Sequence, residues 1–213
     1  MEKEIRSFNI DFRTAPESRE VSGYAIVFNS LSENLGGFRE IIDPAAVEGV
    51  IEKSDIVAVL NHDSSRGILG RSRNGSGSLS LSVDETGTAF RFDAPHTALG
   101  DECLEYIRRG DATQCSFAFS VAEDSWRKLE DGMYERTIKK FDRLYDVSIL
   151  TCQPAYAATS VSCRSFEDFK EKEAKELEEA RKAEEEKAAE EKRAHLEEYY
   201  KNLKDENKNY LEK

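Results

Sequence analysis

Hydrophobic and polar positions follow one rule up to about residue 166 and another beyond it. In the first part, short apolar runs alternate with polar residues and are cut off by turn residues, as half-buried strands are. "REVSGYAIVFNS" alternates loosely and leads into a loop, "LSENLGGFRE", where Gly36-Gly37 permits a tight turn. "DIVAVLNHD" is a strand with a polar end. "RSRNGSGSLSLSVDETGTAFRFDAP" predicts a pair of hairpins turning at Asn74-Gly75 and at "DETG". Three further β segments follow: "DATQCSFAFSVAEDSW", "YERTIKKFDR" and "LYDVSILTCQPAY".

Helical spacing is scarcer. In "DPAAVEGVIEKS", Asp43 can cap, Pro44 suits a first turn, and Val47, Val50 and Ile51 share a face. In "TALGDECLEYIRRGD", Leu99, Cys103, Leu104 and Ile107 form one face that ends in two arginines and Gly110. With strands dominant and too few helices for a βαβ array, the expected fold is α+β: a β-barrel or curved sheet with short flanking helices.

The last stretch, residues 166–213, is rich in Glu, Lys, Ala and Leu, with pairs four apart such as Glu171/Lys175 and Glu178/Lys182. It predicts a long charged helix, on the order of 70 Å if continuous. Ala189, Leu196, Leu203 and Tyr210 fall seven apart, with Tyr199 and Tyr200 between them, a thin coiled-coil seam. A solvated helix and a partner-binding arm both fit. The expected division is therefore 1–165, a folded domain, and 166–213, a helical tail.

Charge narrows the partners. Lys and Arg number 31 against 43 Asp and Glu, a net charge of -12, so no cationic excess is available to displace counterions from nucleic acid. No apolar run approaches the 20 residues of a membrane span, and "MEKEIRSFNIDF" lacks the apolar core of a secretory signal. Neither nucleic acid nor membrane is expected as a partner. Cys103, Cys115, Cys152 and Cys163 show no CxxC pairing, and reduced thiols are expected. No metal or cofactor is expected; His62 and Asp63 with a cysteine would be a poor ligand set.

Chemistry concentrates on few residues. Of three histidines, His195 lies in the tail, His96 at a strand-to-helix junction, and His62 at the end of an apolar strand. In "CSFAFS", Phe117 and Phe119 point to one face while Ser116, Ala118 and Ser120 point to the other, a row of small side chains that a peptide could approach. Ser116 is either filler beside packed neighbours or a nucleophile, and a nucleophilic serine needs a base. His62 is the best-placed one. Asp146, inside the apolar "LYDVSIL", needs a partner to offset its burial and could fix the histidine's tautomer. Cys115, beside Ser116, falls on the opposite face, where packing is its expected role.

The segments "GYAIVFNSLSENLGGFREIIDPAA", "LNHDSSRGILGRS", "ALGDECLEYIRRGDATQCSFAFSV" and "LYDVSILTCQPAYAATSV", in this order over roughly residues 20–165, resemble the tailed-phage prohead (procapsid maturation) serine proteases. That family is similar in fold to the herpesvirus maturation proteases, which implies a compact β-barrel with surrounding helices. The resemblance implies that His62 of "NHD" is the general base, Ser116 of "SFAF" the nucleophile, and Asp146 the third member, a position where the family uses Glu or Asp. It implies an endopeptidase inside the assembling prohead in the host cytoplasm. The substrates would be the scaffold, or the scaffolding segment of the major capsid protein, and then the enzyme itself, with self-association during assembly. The tail would be a packaging or self-cleaved segment. Loops near "GRSRNGS" and "CQPAYAA" are the expected oxyanion-hole candidates. A noncatalytic scaffold or assembly protein with a protein-binding head is the alternative.

Overall fold

The computed structural model describes residues 2–10, 12–15, 17–151 and 160–211. Two compact units divide the chain, Met1–Phe166 and Glu167–Lys213. The first is built on two sheets. The larger one runs β1 (Glu4–Asn9), β9 (Gln114–Lys128), β10 (Tyr134–Leu150), β4 (Asp55–Leu60), β5 (Gly70–Arg73) and β6 (Ser76–Gly77). A further strand, β3 (Phe38–Ile42), lies parallel to the first part of β10, and β4 lies parallel to its last part. The smaller sheet is β2 (Glu20–Val27), β8 (Gly87–Asp93) and β7 (Leu79–Val83).

Apolar side chains from both sheets share one core. Ile26, Phe90 and Phe92 come from the smaller sheet and Ile56, Phe117 and Phe119 from the larger. Phe117, Phe119 and Phe141 form its aromatic centre, with ring centroids 5.0 and 4.9 Å apart along the series. The helix α1 (Ala98–Arg109) adds Cys103, Leu104 and Ile107 to the same core. It starts where Thr97 Oγ1 accepts from Gly100 N and stops at Gly110, whose φ of 76° only glycine adopts readily.

Several expectations change. The sheets do not close into a barrel. The larger one ends at β1 and β6, and past β1 one isolated bridge, Arg13 to Ser22, reaches the smaller sheet. Curvature is present instead, because β9 and β10 slip register at four places between Ile138 and Asp146, and such bulges bend a strand pair. The helix expected over residues 43–54 is two 3-10 turns, Pro44–Val47 and Ile51–Lys53. Gly49, at φ 64°, interrupts the run. Strand β3 begins within the predicted loop before it, at Phe38, and the segments "YERTIKKFDR" and "LYDVSIL" form one strand, β10.

The second helix, α2 (Ser160–Leu211), carries residues of both units. Within the first unit, Phe166 is buried among Phe38, Trp126 and Tyr134. In the second, Lys182 pairs with Glu178 at 2.8 Å while Leu177 and Leu196 stay exposed. The side chains of Tyr199, Tyr200, Leu203 and Tyr210, on which the seam depends, lie outside the described residues, as do those of His195, Cys152 and Cys163. No helix among the described residues is long and apolar enough to cross a membrane.

Candidate active site

Three strands converge where β9, β10 and the end of β4 lie side by side. Ser116 faces Ser148 across the β9–β10 ladder, Asp146 faces Ala118, and Leu60, two residues before His62, faces Ile149 across the β10–β4 ladder. Side-chain alternation puts Ser116, Asp146 and Ser148 on one face, opposite Phe117 and Phe119.

A strand would carry the imidazole past these groups; a turn brings it back. Asn61 and His62 both have left-handed backbones, φ 54° and 58°, a conformation that costs about 1–3 kcal/mol per non-glycine residue and persists only where neighbours enforce it. They do so here. Asn61 N donates to Ile149 O at 3.0 Å. The Asn61 side chain and Thr151 are reciprocally bonded, Nδ2 to Thr151 Oγ1 at 2.8 Å and Thr151 N to Oδ1 at 2.9 Å. His62 N donates to Ser148 Oγ at 2.7 Å, and Asp63 N closes the turn onto Leu60 O.

The result is a chain of short contacts. His62 Nδ1 lies 2.6 Å from Asp146 Oδ1, and His62 Nε2 lies 2.6 Å from Ser116 Oγ. Asp146 is 5% exposed. Burial alone would raise its pKa, but the hydrogen bond and charge of His62, joined by Lys3, outweigh burial and hold it below the ordinary carboxylate range. Lys3 Nζ donates to its second oxygen, Oδ2, at 2.9 Å. An ionised carboxylate can only accept, so the imidazole proton belongs on Nδ1 and Nε2 is left to accept from Ser116.

Ser116 itself has no exposed surface. Its hydroxyl also lies 2.8 Å from the Arg6 carbonyl oxygen of β1, a second acceptor for its one proton. The row of small side chains is therefore covered rather than open: Ala118 and Ser120 are buried too, and Ser120 Oγ donates to Asp142 at 3.0 Å. Cys115 is wholly buried, and burial raises its thiol pKa far above the usual value, so no thiolate competes with the serine.

His62, Ser116 and Asp146, singled out from sequence, are thus brought together. Lys3, Asn61, Ser148 and Thr151 were not anticipated. The signal for Ser148 is its place two residues after Asp146, on the same face of β10. The asparagine before the histidine, a residue type that tolerates φ > 0, is the signal for the turn. Of the oxyanion candidates, Arg71 and Ser72 lie on β5, which is separated from β9 by β4 and β10. "CQPAYAA" lies outside the described residues.

No curated protein matches this sequence. Among solved structures, the bacteriophage T4 capsid assembly protease, gp21, matches with a TM-score of 0.42 and 12% identity, over 70% of this chain and 97% of that one. The family described as caudovirus prohead serine protease matches residues 7–172, which include every residue of the His62, Ser116 and Asp146 arrangement. The chain belongs to the caudovirus prohead serine protease family.

Proposed function

We propose that Ser116 is the nucleophile, His62 the general base and Asp146 the orienting acid of an endopeptidase that cuts capsid precursor and scaffold segments, and then itself. Family membership supports the coarser reading, a serine protease of capsid maturation acting within the assembling capsid. One observation carries the finer one: the continuous series Asp146 Oδ1, His62 Nδ1, His62 Nε2 and Ser116 Oγ, with both contacts at 2.6 Å.

Ser116 Oγ attacks the scissile carbonyl carbon as its proton passes to His62 Nε2, and the carbonyl oxygen takes the negative charge. Collapse of this intermediate breaks the C–N bond, and His62 returns the proton to the leaving amine. The acyl ester on Ser116 is then hydrolysed by a water whose proton His62 accepts. Asp146 balances the imidazolium at each stage. Preorganised donors at the oxyanion are commonly worth about 3 kcal/mol of barrier.

In this scheme residues 1–165, with Phe166 packed into the same unit, are the protease domain, and the residues after Phe166 are a packaging or self-cleaved segment, dispensable for peptide hydrolysis. A gel of the chain expressed with its cognate capsid protein tests the reading. Wild type yields truncated capsid protein and enzyme, whereas Ser116→Ala and His62→Ala leave both at full length. Identical full-length bands for all three would favour a noncatalytic assembly protein.

A further inference from the structure

Among the described residues other than glycine, four have left-handed backbones. Three are asparagines, Asn29, Asn61 and Asn74, a residue type that tolerates the conformation; the fourth is His62. With Asp63 N bonded to Leu60 O at 3.0 Å, Asn61 and His62 are the central pair of a type I′ turn, whose second central place favours glycine. The histidine therefore sits where its residue type is disfavoured, and its surroundings must hold it there.

What the turn provides is reach. Strands β4 and β10 run parallel, with Leu60 beside Ile149. A straight continuation of β4 would set His62 beside Thr151, five residues past Asp146 and roughly 17 Å from it along the strand. The turn instead returns the His62 backbone to Ser148, and the imidazole then spans Asp146 and Ser116, 2.6 Å from each.

The bonds that hold the turn are not equivalent. Those from Ile149 and Thr151 act on Asn61, the residue before the histidine. The bond from Ser148 acts on His62 itself, since Ser148 Oγ accepts from His62 N at 2.7 Å. Ser148 stands two residues after Asp146 on the same face of β10, so one strand grips the histidine at two points, its main chain and its ring. Asn61 and Thr151 are half-buried, and water can stand in for either partner; Ser148 has no exposed surface. The space left by one buried hydroxyl oxygen is too small for a water. Without that oxygen His62 N loses its acceptor, and the turn relaxes to a less strained backbone that carries the imidazole away from Ser116.

We propose that Ser148 is a positioning residue of the proteolytic reaction, whose hydroxyl fixes the His62 backbone where the imidazole meets both Asp146 and Ser116. It acts through His62 alone. The inference rests on Ser116 being the nucleophile and His62 its base.

A double-mutant cycle in the full chain tests it, read as the rate at which a fluorophosphonate modifies Ser116, with a melting curve for each protein. Ser148→Ala should react at least ten-fold more slowly than the wild type. The losses should not multiply: Ser148→Ala combined with His62→Ala should match His62→Ala within two-fold, because a residue that acts through the imidazole has nothing left to act on. A rate for Ser148→Ala equal to the wild type overturns the positioning role while leaving Ser116 its own. A further ten-fold loss in the double variant overturns it too, since Ser148 would then be supporting the serine or the fold directly. No adduct on Ser116 in the wild type overturns the reading of the nucleophile and this inference with it. Should the alanine variant melt below the assay temperature, Ser148→Cys, which keeps the bulk but supplies only a weak acceptor, is judged by the same results.

Discussion

Two buried polar networks lie on opposite faces of β9, and they are built for different tasks. On one face Asp146, His62 and Ser116 form an open series with a direction, because each contact can pass or follow a proton. On the other, Glu4, Arg6, Glu40 and Arg136 form a set of charges that Arg136 Nε extends to Asp124 at 2.6 Å, and Glu4, Glu40 and Asp124 raise the Arg136 pKa against the effect of its burial. Arginine does not release its proton at any ordinary pH. In the proposed reading the first network does chemistry by moving a proton through its imidazole. The second cannot, and instead fixes where β1 lies against β3, β9 and β10.

Changes that break the first network should act on rate. Asp146→Asn leaves His62 hydrogen-bonded but permits the wrong tautomer, and is expected to lower kcat by about 10⁴ with the fold intact. Steady-state cleavage of capsid precursor alongside a melting curve checks both halves. Changes to the second network should act on stability. Arg136→Leu leaves Glu4 and Glu40 facing one another with one guanidinium between them, and is expected to cost about 3–5 kcal/mol in urea unfolding.

Acid separates the networks less cleanly, because each contains one carboxylate held below its ordinary value. Glu4 is kept there by Arg136 and Arg6 against its burial, and Asp146 by His62 and Lys3 against its own. As pH falls, the unfolded chain takes up these protons first, near about pH 4. The stability they contribute is full above that and is lost as pH falls through the lower folded values. Urea midpoints measured downward from about pH 6 should therefore drop below about pH 4.5, and Glu4→Gln should flatten the drop. Lys3→Ala should have the smallest effect. Its side chain is 45% exposed, so solvent screens the pair with Asp146. A loss of about 0–1 kcal/mol is expected, with a rate change of a few-fold at most.

The same contrast explains what could be read from the sequence. His62, Ser116 and Asp146 were legible because each breaks its local pattern: a histidine ends an apolar strand, a serine interrupts phenylalanines, and an aspartate sits among Val, Ile and Leu. The resemblance to the prohead proteases joined them across 84 residues. Strand β1 was not legible, since its inward positions carry Glu4 and Arg6, and a pattern that equates inward with apolar inverts there. The start of β10 was legible as "YERTIKKFDR" even though Glu135 and Arg136 are buried there. The turn at Asn61-His62 depends on bonds to Ser148, Ile149 and Thr151, long-range contacts that no local window contains.

The most direct test of the nucleophile is to treat wild type and His62→Ala with a fluorophosphonate and locate the adduct by peptide mass spectrometry. The expected result is a single adduct on Ser116, formed at least a hundred-fold more slowly without the imidazole. An adduct on another residue, or an equal rate in the two proteins, would contradict the assignment.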